Sequence, residues 1–228
     1  ARAVRVNGAS APQRLEATAV LSTIPLPVLV RAIEPAAPAD VLTSCAALQY
    51  RAMVLVYVVL ETDRFSEFDA HYFPEREIPV TRISEPKNYS LNGPSGVTVL
   101  CAEIPCAADD AIWSSTDEQL GAVVISALAA ADLRVTSKVR RVVTKRLRQA
   151  YPIYTLGYRT HFERLDRWID HIDGLISLGR QGLFAHDNTH HTLAMAYAAC
   201  ASLDEAGSFD RNAWHTHRKH FESHVVED

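Results

Sequence analysis

The sharpest periodicity lies over residues 117–133, DEQLGAVVISALAAADL, where Leu120, Val123, Val124, Ala127, Leu128 and Ala131 recur at helical spacing. Ser115 and Thr116 precede this segment as N-cap candidates, and acidic residues fill its first turn, so an amphipathic helix is predicted there. Phe162, Leu165, Trp168, Ile169 and Ile172 share one face of a second predicted helix over 157–171. A third helix is expected over 189–203. A short one is expected over 27–33, where Pro27 suits a first helical turn and Pro35 stops the pattern. Strand candidates occupy 50–61, 78–84 and 97–104, separated by Pro/Gly-containing polar segments such as PKNYSLNGPSG. Residues 4–6 and 15–20 flank the turn-like pair Asn7-Gly8 as a hairpin, and AVLSTIP reads as a buried strand ended by Pro25. The β-branched stretch RVTSKVRRVVTKRLRQAYPIY ends at Pro152, a last strand is expected over 175–178, and residues 206–228 read as a polar tail free to fray.

Composition narrows the classes. The 228 residues are 48% hydrophobic and 22% charged, which is ordinary globular usage. A net charge of -4 gives no long-range attraction to nucleic acid or to an acidic membrane. The longest apolar run, MVLVYVVL at 53–60, is a buried strand rather than a span, which needs about 20 residues. The four cysteines form no CxxC pair and no dense framework, so free cytoplasmic thiols are expected. The basic residues Arg134, Lys138, Arg140, Arg141, Lys145, Arg146 and Arg148 read as a solvated face, with a phosphate-bearing ligand as the sharper alternative. No GxSxG elbow or P-loop is present. The chain begins at Ala1 and runs directly into hairpin-like sequence, so a fragment or a processed chain is expected.

The stretch LISLGRQGLFAHDNTHHTLAMAYAAC at 175–200 concentrates the candidate chemistry. His186, His190 and His191 raise a metal site. The positive end of the predicted helix opposes a cation, however, and that helix face carries no acid at ligand spacing, so no metal is expected. His215, His217, His220 and His224 read as solvated tail residues. A strand leading through glycines to a helix N-terminus instead suits a phosphate or an electron-rich carbonyl edge. Gly179 and Gly182 allow close backbone approach, and Arg180 adds charge. By pattern alone, a plain connection fits the same residues.

GRQGLF followed by DNTHHTLAMAYAA resembles the C-terminal flavin motif of the amine oxidase, protoporphyrinogen oxidase and UDP-galactopyranose mutase superfamily. VLSTIPLPVL is similar to the strand by which those proteins re-enter the cofactor domain. HYFPEREIPVTRISEPKNYS resembles a substrate-domain segment of the mutase branch, and AYPIYTLGY its Tyr-Pro-x-Tyr segment. The matches run in order from 18 to 203. Two positions depart from the motif: His190 stands where an Asp is usual, and Ala196 where a helix glycine often follows. A side-chain role for an acid at the first is therefore not carried over. GxGxxG, the fingerprint for the ADP half of FAD, is absent.

The resemblance implies an α/β fold: the C-terminal portion of an FAD/NAD(P)-binding, Rossmann-like flavoprotein with a β-rich α+β substrate domain. Residues 1–35 and 173–205 would belong to the FAD-binding domain and 36–172 to the substrate domain. It implies FAD as cofactor, held through Gly179, Arg180, Gly182, Asn188, Thr189 and His190, and a small-molecule substrate met by Arg82, Lys87, Tyr89, Tyr154 and Tyr158. Hydride transfer from substrate to flavin is the expected reaction, with no side chain assigned as catalytic base. A mutase-like isomerisation of a nucleotide sugar is the alternative within the fold. A non-catalytic module that works with a missing N-terminal FAD-binding half is the alternative outside it.

Overall fold

The computed structural model describes residues 2–7, 12–89 and 93–226. In chain order these form β1 (Ala3–Val6), β2 (Gln13–Glu16), β3 (Val20–Ser22), α1 (Leu26–Ala32), α2 (Ala39–Ala47), β4 (Gln49–Leu60), β5 (Ala70–Tyr72), β6 (Arg82–Ser84) and β7 (Thr98–Cys106). There follow α3 (Ala111–Ser114), α4 (Asp117–Ala130), β8 (Val139–Ile153), α5 (Tyr158–Asp170), β9 (Leu175–Ser177), α6 (Gly179–Gly182), α7 (Thr189–Ala201) and α8 (Arg211–Phe221). A 3-10 turn covers Pro86–Asn88. The chain divides into two compact units, one of residues 1–49 with 151–228 and one of 50–150.

The first unit mixes helices with short strands. β1 and β2 pair antiparallel, while β3 and β9 pair parallel in the register Val20↔Leu175, Leu21↔Ile176, Ser22↔Ser177. Leu178 extends that pairing by donating its N–H to Ser22 O at 2.9 Å. Ile176, Leu178, Leu183, Met195, Ala198, Ala199 and Trp214 form a buried cluster that unites β9, α6, α7 and α8. α2 packs on α5, and Ser44 meets His161 Nδ1 across them at 3.2 Å. α8 is fastened to α5 by Arg211–Asp170 and Arg218–Asp166 ion pairs, both 2.9 Å.

The second unit is a five-stranded sheet in the order β5-β6-β7-β4-β8. Burial alternates strictly along β7, the signature of a strand with one face in a core. Buried side chains of β4 and β7, among them Val54, Val56, Val58, Leu100, Ala102 and Ile104, meet Leu120, Val124, Ala127 and Leu128 of α4. Thr116 starts that helix with a capping box: its hydroxyl accepts from Gln119 N–H (3.3 Å) and Gln119 Oε1 accepts from Thr116 N–H (2.9 Å). Glu85 is 2% exposed in this unit, and its carboxylate accepts from the N–H groups of Phe65 (2.9 Å) and Ser66 (3.1 Å), from Asn88 and from Thr98.

Several expectations change. Within the expected tail of 206–228, the described residues 211–221 are an ordered helix, because Trp214 is 3% exposed and carries α8 into the core, and Asp210 caps that helix by accepting from the N–H groups of Asn212 and Ala213. β3 is only partly buried, with Leu21 40% exposed. β8 continues through Pro152, and the strand expected over 78–84 shortens to Arg82–Ser84. α2 had no sequence expectation. The predicted hairpin turn at Asn7-Gly8 falls partly outside the described residues.

Candidate functional site

β9 ends against β3, and the chain turns at Gly179, whose φ of +78° favours glycine over any residue with a Cβ. A Cβ there would meet Thr23 at an ordinary 3.9 Å, so the backbone conformation rather than crowding selects glycine at this buried position. Gly182, one turn on, has a different reason to lack a side chain. A Cβ would lie 2.8 Å from Ser177 Oγ and 3.2 Å from Ser22 O. Close packing of α6 on the two parallel strands accounts for this glycine without a ligand. Ser177 Oγ completes the contact by donating to Gly182 O at 2.8 Å. Phe184, 2% exposed, then adopts a φ of +50°, uncommon for a non-glycine residue and worth notice beside a candidate site.

Arg180 projects from α6 onto Tyr151, its Cζ 4.0 Å from the ring centroid, and its buried Nε has no hydrogen-bond partner among the described residues. His186 stacks on Tyr151 as well, with centroids 4.9 Å apart and 24° between planes. Tyr154 joins the group through its hydroxyl, which accepts from His186 N–H (3.0 Å) and donates to Phe184 O (3.3 Å). Tyr158 stacks on Tyr154 at 4.5 Å. Burial pushes the Tyr154 phenol above its ordinary value, opposed by the His186 N–H, and burial together with Arg180 lowers the His186 imidazole. The cluster therefore sets the Arg180 guanidinium among aromatic faces, with the Tyr154 phenol and the His186 imidazole both held toward their uncharged forms, a surface suited to an anionic or electron-rich planar group.

Asn188 is the N-cap of α7 and donates its N–H to Nδ1 of His191 at 3.2 Å. Thr189 and His190 occupy the exposed start of the helix, where first-turn N–H groups lack intrahelical acceptors. His224 is not solvated as expected: it stacks on His191 at 4.2 Å, and both imidazoles meet the buried Asp187. Asp187, just before the helix, supplies the acid that spacing within the helix does not show.

The anticipated substrate residues fall into two groups. Tyr154 and Tyr158 lie beside the Gly179–Gly182 turn, within the first unit. Arg82, Lys87 and Tyr89 lie in the second. Arg82 pairs with Glu103 (Nε–Oε1 3.1 Å), and Lys87 Nζ donates to Pro94 O (2.8 Å) and Val97 O (3.0 Å), so both cations already have protein partners. Tyr89 is 62% exposed. Tyr151 and Phe184 join the cluster unannounced, and His186, weighed in the sequence only as a metal ligand, joins it by stacking on Tyr151. The signal for Tyr151 was its place in the same AYPIY segment as Tyr154.

No helix among the described residues is long and apolar enough to cross a membrane. No protein-family model matches the chain, and no curated protein sequence matches it. Solved structures do. Reduced UDP-galactopyranose mutase matches with a TM-score of 0.68 and 18% identity, over 82% of this chain and 41% of that one. A protein of Exiguobacterium sp. 255-15 assigned as a protoporphyrinogen oxidase matches with a TM-score of 0.56 and 20% identity, over 79% of this chain and 39% of its own. A triple variant of putrescine oxidase, redesigned in its cofactor binding, gives 0.51 and 16%, over 74% and 38%. The chain thus spans less than half the length of each, and over most of its own length it has the fold of the matching portion of these three enzymes.

Proposed function

We propose that the chain is part of an FAD-dependent oxidoreductase, in which the turn at Gly179–Gly182 and the start of α7 border the flavin. The observation that carries this reading is the pairing of a positive-φ Gly179 with Arg180, whose buried Nε has no partner among the described residues, inside a fold shared with flavoenzymes. These residues fit the cofactor. Gly179 lets the chain turn without a side chain, Arg180 gives fixed positive charge, and the exposed first turn around Thr189 and His190 offers N–H groups to a carbonyl edge. Bound FAD would accept a hydride from a small-molecule substrate. The protein's share is placement and polarity: Tyr154 and Tyr158 form a stacked wall for a flat ligand, and Arg180 stabilises negative charge near the turn.

A mutase-like isomerisation of a nucleotide sugar is the second reading, favoured by the higher TM-score of the mutase. A separate N-terminal FAD-binding half is the proposed partner, supported by the pairing of β3 and β9: parallel strands are ordinarily buried among further strands, and this pair has none beside it among the described residues. The unpaired thiols of Cys45, Cys101, Cys106 and Cys200 support a cytoplasmic setting.

Titration with FAD, read by flavin fluorescence and the visible spectrum, tests the cofactor assignment. Saturable binding that Gly179→Val removes while the circular dichroism stays unchanged is expected; identical curves for both chains refute it. Turnover of a nucleotide sugar that needs pre-reduced flavin and shows no net electron transfer would select the mutase reading.

A further inference from the structure

Asp187 and His191 stand four residues apart across the start of α7, and the segment after α8 brings His224 to the same place. Nδ1 of His191 and Nδ1 of His224 each lie 3.3 Å from the same oxygen, Oδ1 of Asp187. The two rings are stacked with only 12° between their planes, so one of them must tilt for both in-plane lone pairs to meet a shared ion. One ligand atom from each of the three residues falls within a set no more than 4.8 Å across. The Asp187 side chain is 4% exposed, and its second oxygen, Oδ2, is buried without a hydrogen-bond partner among the described residues.

Hydrogen bonding inside the group does not satisfy it. The N–H of Asn188 points at Nδ1 of His191 and needs a lone pair there. A neutral imidazole with that lone pair has no proton to give Asp187, which leaves Nδ1 and Oδ1 facing each other as two acceptors. Nδ1 of His224 can bring a proton to Oδ1, but the buried Oδ2 has no partner among the described residues and calls for a cation.

We propose that Asp187, His191 and His224 bind a zinc-class divalent cation that clasps the segment after α8 to the start of α7. Two imidazole nitrogens and one carboxylate oxygen are a donor set that zinc takes in three-ligand sites, with bonds of about 2.0–2.2 Å. Neighbouring ligands around a tetrahedral ion with such bonds stand about 3.4 Å apart, close to the 3.3 Å of both nitrogen–oxygen pairs. The partial positive charge at the helix N-terminus opposes the ion, and the full negative charge of Asp187 outweighs it. His224, with 18% of its side chain exposed, leaves an entry path and a fourth position for water.

The test is a cobalt(II) titration of the untagged chain, followed by visible d–d bands and metal content. One cobalt per chain with a tetrahedral spectrum, displaced by zinc, is expected. His224→Ala, a change in a terminal segment outside the helices, should weaken binding by at least the roughly 10–100-fold that the loss of an outer-shell partner alone costs. Asp187→Asn should abolish the tetrahedral bands, while His217→Ala and His220→Ala leave the titration unchanged. Absence of the bands, or equal affinity in His224→Ala and the parent chain, overturns the proposal. The readout does not involve flavin, so its failure leaves the cofactor assignment where it was.

Discussion

Replacing Gly182 with alanine separates packing from ligand access at the candidate turn. The added Cβ would stand 2.8 Å from Ser177 Oγ and 3.2 Å from Ser22 O. Ser177 must move, and in moving it gives up its hydrogen bond to Gly182 O. Overpacking of this kind costs about 1–3 kcal/mol and a buried unpaired polar group another 1–3, so a loss of about 2–4 kcal/mol is expected once the local backbone relaxes. Hydrogen exchange at the N–H groups of Leu178 and Leu183, which bond to Ser22 O and Gly179 O, reads the opening free energy beside the substitution. Ser177→Ala alone should cost about 1–3 kcal/mol, because it strands the Gly182 carbonyl. In the double variant the hydroxyl obstacle is gone while the Ser22 contact stays, so the two costs should fall short of additive by about 1 kcal/mol or more. A Gly182→Ala chain within about 0.5 kcal/mol of the parent, or strictly additive costs, would refute the packing account.

Other outcomes follow from the same structure. Thr116→Ala removes one side of the capping box of α4 and should destabilise the second unit by about 1 kcal/mol in urea titration, whereas Thr116→Ser should be nearly silent. Glu85→Ala leaves the N–H groups of Phe65 and Ser66 without their acceptor in a buried setting, and a loss above about 3 kcal/mol is expected; a change under half that would show that water replaces the carboxylate. Alkylation of the native chain should mark the exposed Cys200 first. Cys45 and Cys106, buried and with thiols raised chiefly by burial, should react only on unfolding, and equal labelling by mass spectrometry would contradict the packing described for them.

What sequence alone disclosed follows the range of the forces involved. α4 was legible because its cap, its acidic first turn and its apolar stripe are all local. β7 was legible because alternating burial is written into alternating residues. α8 was not, since its polar composition hides one anchor, Trp214, whose burial depends on Phe209, Phe221 and α7. At the site, the glycine turn and Tyr154 were visible in motif form. The meeting of Tyr151, Arg180 and His186 depends on the end of β8 reaching α6, and that of His224 with Asp187 on the chain returning after α8. Neither leaves a trace in spacing. Gly182 gives the opposite lesson: its position suggested a ligand, and the neighbouring Ser177 explains it.

The basic run in β8 has a consequence for solubility. β8 closes one side of the five-stranded sheet and β5 the other. An open sheet margin offers unpaired backbone groups to any passing strand, which is how folded proteins begin to aggregate. β5 is only three residues long and offers little to pair with. β8 is fifteen residues long, and along it Arg140, Arg141, Lys145, Arg146 and Arg148 are all exposed, the last two also touching Trp113. A second copy approaching this margin would bring like charges face to face. The cluster that in one dimension resembles bait for polyanions serves the folded chain as a fence against its own copies.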